Sequence, residues 1–189
     1  MEEKLAQEPS TCLKAVLFGP ESTGKSTLAA RLAAHFNTVW VEEYMREYLQ
    51  KKWDEKGGVC EPHDLIVIAK GQMRNENRLS KIANKVLFCD TDLLELKVYS
   101  EAYYNGYCNP DLHKHALKNW YDIYFLTNID TPWIPDDLRD KPLDREGMFK
   151  RFKSALKLTK RPFILLEGDE DHRFETAVSA INELLKQQN

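Results

Sequence analysis

Five short apolar runs punctuate an otherwise mixed chain: Leu13–Phe18, Thr38–Val41, Lys85–Cys89, Ile123–Leu126 and Phe163–Leu166. They are rich in Val, Ile, Phe and Leu, and polar and apolar positions do not strictly alternate. A strand with one wet face alternates, whereas a strand covered on both faces has no need to. The runs therefore predict strands of a parallel sheet buried on both sides. Between them lie helix-like segments: Lys25–Phe36, Glu43–Lys51, Pro62–Ala83, Asp92–Tyr104, Pro110–Lys118, Arg145–Leu158 and Asp171–Lys186. Gly57-Gly58 and Asn105-Gly106 mark turns, and Pro62 stands near a first helical turn, where its missing N–H is tolerated. This alternation predicts right-handed crossovers and a three-layer α/β fold with a five-stranded parallel sheet flanked by helices. No repeat, low-complexity tract or linker divides the chain. Residues 13–189 read as one domain, behind a polar tail over residues 1–12 that is expected to fray.

Composition narrows the partners. Hydrophobic residues make up 42% and charged residues 30%, with a net charge of −3, as in an ordinary globular protein. That balance argues against a nonspecific nucleic-acid partner, which needs a basic face. No stretch approaches the ~20 apolar residues of a membrane span, and the acidic start "MEEKLAQEPS" is not a secretory leader. Cys12, Cys60, Cys89 and Cys108 lie far apart without metal-ligand spacing, and read as free thiols of a cytoplasmic protein.

The first run leads into "GPESTGKS", which matches G-x-x-x-x-G-K-[ST] in full, with a strand before it and a helix after it. Gly19 and Gly24 allow the backbone angles that close such a loop around an anion. Successive N–H groups of the loop then form a nest, to which the helix adds its positive end. Lys25 is expected to reach the β and γ phosphates of ATP, Ser26 to offer its hydroxyl to Mg²⁺, and Thr27 to approach the α phosphate. Gly19, Pro20, Glu21, Ser22, Thr23, Gly24, Lys25, Ser26 and Thr27 make up the expected nucleotide-binding set.

Ligands of parallel sheets sit at the carboxyl edge, so the other strand ends carry the remaining chemistry. "VLFCDTD" places Asp90 and Asp92 there, and Asp90 is the candidate metal carboxylate. Asp92 is a candidate for substrate work, with helix capping as the plainer alternative. "VEEYMRE" puts Glu43 at a strand-to-helix junction, where a carboxylate can take a proton from an attacking hydroxyl. "TNIDTPWIPDDLRDKPLDRE" is a long proline-punctuated connection, read as a lid over residues 130–147, with Arg139 ahead of Arg145 as its phosphate-facing arginine. "TNID" lacks the lysine of a guanine reader. In the last loop, Arg173 is a candidate to stack on the purine.

These blocks taken together, "FGPESTGKSTLAARLAAHFNT", "EEYMREY", "KVLFCDTD" and "DTPWIPDDLR", resemble the ribosylnicotinamide kinase domain of the NadR-type bacterial NAD-salvage proteins. The resemblance implies a P-loop fold of the nucleoside-kinase type. It implies ATP-dependent phosphorylation of the 5′-hydroxyl of nicotinamide riboside, with Glu43, Asp90 and Asp92 facing the acceptor or metal and Arg139 in the lid. NadR-type proteins carry an adenylyltransferase domain, and often a DNA-binding domain, ahead of this one, and those activities are not expected here. In the family, aromatic residues stand where this chain has Glu42 and Arg78. That difference predicts weaker handling of the cationic nicotinamide ring. A kinase for another vitamin-like alcohol, and a P-loop ATPase or switch acting on a protein partner, are the alternatives.

Overall fold

The computed structural model describes residues 4–134 and 144–187. It contains the five expected strands, β1 (Leu13–Phe18), β2 (Trp40–Val41), β3 (Val86–Asp90), β4 (Ile123–Thr127) and β5 (Phe163–Leu166). They pair in parallel in the order β2-β3-β1-β4-β5. Among the described residues seven helices flank this sheet: α1 (Lys25–His35), α2 (Tyr44–Lys56), α3 (Asp64–Leu79), α4 (Leu93–Tyr103), α5 (Pro110–Lys118), α6 (Arg145–Leu158) and α7 (Glu170–Gln187).

The strands lack alternation because both faces are covered. Leu13, Ala15 and Leu17 of β1 pack with Val86, Phe88, Ile123 and Phe125 beneath α1 and α7. Val16 and Phe18 turn to the other face, with Leu87, Cys89, Tyr124 and Leu126, beneath α4 and α6. There Phe152 meets Phe18 edge-on at 5.1 Å between ring centroids. A third cluster joins α3, α4 and α5 through Ile68, Met73, Leu93, Leu96 and Leu112.

Several boundaries move for local reasons. The expected strand Thr38–Val41 shortens because the Thr38 hydroxyl donates to Val86 O (2.7 Å) and accepts the Asn84 N–H (2.8 Å), replacing ladder bonds with side-chain ones. Lys85 adopts φ 65 and so starts β3 one residue late. Helix α2 continues past Lys51 to Lys56, where Gly57 in the left-handed region ends it.

The amino-terminal segment departs from the expected frayed tail. Leu5 is buried against α3 and α5. Asn119 donates to Leu5 O, Asn77 donates to Ala6 O, and Gln7 Nε2 donates to Glu76 Oε1, all at 2.9–3.0 Å. The apolar Leu5 and the amide at Gln7 give this arm something to bury and something to bond. Glu76 is the hub. Fully buried, it also takes the Lys14 ammonium at 2.9 Å and the Tyr121 hydroxyl at 2.7 Å.

Removing one partner of a buried ion pair leaves the other charge without compensation, at a cost of about 3–5 kcal/mol. Glu76→Ala is therefore expected to lower the urea-unfolding free energy by about that amount. Glu76→Gln should lower it less, since the amide still accepts from Tyr121. Equal unfolding midpoints for wild type and Glu76→Ala would show that Lys14 finds water instead.

Candidate active site

The buried strand β1 ends on a turn that only glycine can make. Gly19 has φ +140, and a Cβ there would lie 2.6 Å from Thr127 Oγ1 at the end of β4. The chain then loops outward. The Thr23 hydroxyl donates to Pro20 O (2.8 Å) and shares a hydrogen bond with the Thr127 hydroxyl (2.6 Å). Gly24, left-handed at φ 81, opens α1. Ser22 is braced from the far side, its carbonyl accepting from Thr131 Oγ1 and Arg145 Nη2 and its hydroxyl from the Ile134 N–H. The nest is thus preformed, with its N–H groups at a helix start.

Ser26 and Asp90 meet as expected, the serine hydroxyl donating to Asp90 Oδ2. Asp90 Oδ1 is buried and has no hydrogen-bond partner. Burial, then the nearby Glu43 carboxylate, push Asp90 up to about 6, against the pull of Lys25. An orphaned carboxylate oxygen beside a hydroxyl is a hard-oxygen donor pair and fits Mg²⁺. Gln72 of α3, unnoticed in the sequence, links this end of β3 to α2. It donates to Asp90 O (3.3 Å) and accepts the Tyr44 N–H (2.9 Å), which fixes the backbone next to Glu43.

Asp92 does not join the site. Thr91 takes a left-handed conformation at φ 71 and breaks the two-residue strand period that would have set Asp90 and Asp92 on one face. Asp92 instead caps α4, accepting the Glu95 N–H (2.9 Å), and takes the Tyr124 hydroxyl at 2.7 Å. Both its oxygens are used in the core, and burial lifts it to about 6. Helix capping, the plainer of the two readings, describes it.

The residue that does reach the loop is Glu95, one helical turn later. Its carboxylate accepts the Gly19 N–H at 3.2 Å and lies 3.4 Å from Lys25 Nζ. Burial works against the Lys25 ammonium, but Glu95, Asp90 and Glu43 outweigh it and raise its pKa. In the sequence Glu95 stands three residues after Asp92, the spacing of a capping box, so it reads as structural.

A cleft of about 570 Å³ runs over the loop. Lys25, Ser26, Thr27 and Arg31 of the loop and α1 line it together with Glu43, Arg46 and Tyr99, and with Pro132, Ile134 and Arg173. Glu43 therefore shares one cavity with the phosphate loop. Arg173 donates to Thr23 O (2.8 Å), Gly168 O (3.0 Å), Asn128 O (3.2 Å) and Asp130 Oδ1, so its edge braces the loops while the residue lines the cleft. Asp130, held by Arg173 and by the Gly168 N–H, is spent on structure rather than on reading a base. Arg139 lies outside the described residues. Arg145 donates to Thr131 O (2.9 Å) and ties the root of the expected lid to the phosphate loop.

Glu42 and Arg78 do not line the cleft. Along α3, Gln72 sits at the carboxyl edge of the sheet beside Asp90, while Glu76 already reaches Lys14 at the amino edge. At 1.5 Å per residue Arg78 lies about 9 Å further along the helix than Gln72, away from the site. Neither Glu42 nor Arg78 is placed to face an acceptor held in this cleft.

A parallel sheet in this order, a preformed anion loop between its central strand and α1, and a serine–aspartate pair beside that loop define a P-loop nucleotide-binding domain of the kinase type. The chain belongs to the AAA_28 family, described as an AAA domain, whose profile matches residues 14–173. It is similar to the trifunctional NAD biosynthesis/regulator protein NadR of Salmonella typhimurium, 31% identical over 175 residues, and to that of Escherichia coli K12, 30% identical over the same length. Both alignments span 91% of this chain and 42% of the relative, so the chain corresponds to less than half the length of those proteins. Among solved structures it resembles a NadR protein in complex with NR, with a TM-score of 0.72 at 22% identity over 92% of this chain and 51% of that one. It also resembles thymidylate kinase from Ehrlichia chaffeensis, with a TM-score of 0.63 at 15% identity over 92% of this chain and 100% of that one. These matches bear out the fold and the resemblance read from the sequence blocks.

If the Ser26–Asp90 pair holds the metal, Asp90→Asn removes its one formal charge. The Mg²⁺ concentration needed for half-maximal nucleotide binding is then expected to rise by about 10- to 100-fold. An unchanged Mg²⁺ titration of the folded variant would reduce Asp90 to a hydrogen-bond acceptor for Ser26.

Proposed function

We propose that the chain is an ATP-dependent small-molecule kinase that phosphorylates the hydroxyl of a nucleoside-like acceptor, with nicotinamide riboside as the leading substrate. The observation that carries this reading is the shared cavity. One cleft of about 570 Å³ is lined both by the phosphate loop and by Glu43. The names of the relatives support the acceptor, as does the NR bound by the NadR protein of the same fold. Local charge supports it too. Glu43 lines the cleft with Asp90 close by, and although Arg46 offsets one of these charges, two carboxylates suit a cationic pyridinium ring.

The chemistry follows from placement. Glu43 accepts a hydrogen bond from the acceptor hydroxyl and orients its oxygen toward the γ-phosphorus. As the new O–P bond forms and the bond to the β-phosphate oxygen breaks, the hydroxyl proton passes to the Glu43 carboxylate. Lys25 and the loop N–H groups neutralise charge on the phosphate oxygens. Ser26 and Asp90 would hold Mg²⁺, which when bound would supply charge neutralisation at the phosphates. Because the transition state is loose, alignment counts for more than the strength of the base. Arg173 offers its plane to the purine. The four unpaired cysteines suit a reducing cytoplasmic setting.

The test measures ADP release with ATP and Mg²⁺ over a panel of nucleosides and vitamin alcohols, with water as the blank. Nicotinamide riboside is expected to raise turnover by about 10²-fold or more over water. Turnover with another alcohol alone would keep the kinase and change the acceptor, and turnover with none would favour a nucleotide-driven switch. Glu43→Gln is expected to lower kcat about 10- to 100-fold and to raise KM for the acceptor but not for ATP. A variant with wild-type kcat and acceptor KM would place the acceptor elsewhere.

A further inference from the structure

Glu95 lies beneath the phosphate loop, 1% exposed, and takes no part in the transfer just outlined. Its Oε2 accepts the Gly19 N–H, while Oε1 faces Lys25 Nζ at 3.4 Å, within ion-pair range but out of line for a hydrogen bond. The lysine donates to Gly19 O at 2.7 Å and to Pro20 O at 2.9 Å. The ammonium that a phosphate loop offers to an incoming anion is here turned inward, onto the loop's own carbonyls and toward a buried carboxylate. A helix cap does not explain this. The glutamate of a capping box reaches back to the N-cap N–H, whereas the oxygens of Glu95 go to Gly19 and toward Lys25.

We propose that Glu95 is a positioning residue for Lys25, holding it folded back in the nucleotide-free loop and recapturing it after transfer, so that nucleotide binds less tightly and ADP leaves faster than the loop alone would allow. This rests on the reading of the loop as a nucleotide site. Glu95 and the phosphates compete for one cation, and part of the binding energy of the phosphates goes into separating the buried pair. The groups around Glu95 strengthen the competition. Glu43 at the start of α2, Asp90 on β3 and Asp92 at the cap of α4 are all acidic, so Lys25 is the countercharge the carboxylate faces. Tight ground-state binding of a nucleotide does not speed the chemical step, and a loop that grips ADP slows turnover. A carboxylate that reclaims the lysine offsets that grip.

The experiment measures binding of Mg²⁺ with ADP, and of Mg²⁺ with a non-hydrolysable ATP analogue, by calorimetry without acceptor. Glu95→Gln keeps an acceptor for the Gly19 N–H but removes the charge. It is expected to bind both nucleotides about 5-fold tighter or more and to release ADP correspondingly more slowly. Glu95→Asp keeps the charge but is one methylene too short to span Gly19 and Lys25, and is expected to tighten binding to a smaller extent. Damage to the fold weakens binding, so a gain in affinity is a readout that a merely structural role does not produce. Folded variants with unchanged or weaker affinity would overturn the proposal. So would fast hydrogen exchange at the Gly19 amide of the nucleotide-free wild type, a measurement that needs no variant to fold. Since no acceptor is present, a negative result here leaves the acceptor screen standing, and a failed acceptor screen leaves this result readable.

Discussion

One backbone approach governs the site: Gly19 passes over Thr127 with room for a hydrogen atom and nothing larger. Strand β1 is buried on both faces and paired on both edges, so its end cannot shift to make space. The chain must turn there, and the turn delivers the loop to the point where β3 and β4 flank β1. That is the switch point at which parallel sheets open a crevice. The loop is then pinned on one side through Thr127 and Arg173 and on the other through Ser26 and Glu95. A loop held from both sides presents its N–H groups without reorganising, which is what electrostatic stabilisation of a transferring phosphoryl group requires.

The same geometry concentrates charge. Glu43, Asp90 and Glu95 all act on Lys25, and two of these carboxylates carry a buried oxygen without a hydrogen bond. Buried carboxylates in excess of their cations destabilise the folded chain, and the arrangement persists only if the surrounding packing compensates. Here the compensation lies in the two dense hydrophobic layers on either side of β1. A divalent cation at Ser26–Asp90 would relieve the excess directly. Function and local instability would then share one cause, the clustering of carboxylates around Lys25.

Most of the fold was legible in the sequence because it rests on signals of short range. A strand covered on both faces shows as an unbroken apolar run, and a phosphate loop shows as two glycines, a lysine and a serine at fixed spacing. All five strands and all seven helices stand where those signals put them, within a few residues. The errors came from contacts between elements. Leu5, Ala6 and Gln7 look like a polar tail because their partners, Asn119, Asn77 and Glu76, are 69 to 114 residues away. Arg78 enters only through the comparison with the family's aromatic position, and neither that nor a helix pattern gives its height against the sheet. Only the bonds of Gln72 and Glu76, at opposite ends of the strands, fix that height.

Asp92 and Glu95 show how a single dihedral can exchange two roles. In a continuing strand Asp90 and Asp92 would share a face, and both would meet the loop. The left-handed turn at Thr91 ends that period and starts α4 with Asp92 turned into the core, where Tyr124 and the Glu95 N–H satisfy it. Once the helix has begun, the next acidic residue is three positions on, and its carboxylate reaches the Gly19 N–H and Lys25. Glu95 inherits the contact that strand periodicity assigned to Asp92. The sequence holds the ingredients of this exchange, an aspartate able to cap and a glutamate at the third position beyond it, but they also describe an ordinary capping box. What distinguishes the two is the neighbour. Here the carboxylate lies next to a buried lysine, and a residue that would otherwise only close a helix end acquires a charge to hold.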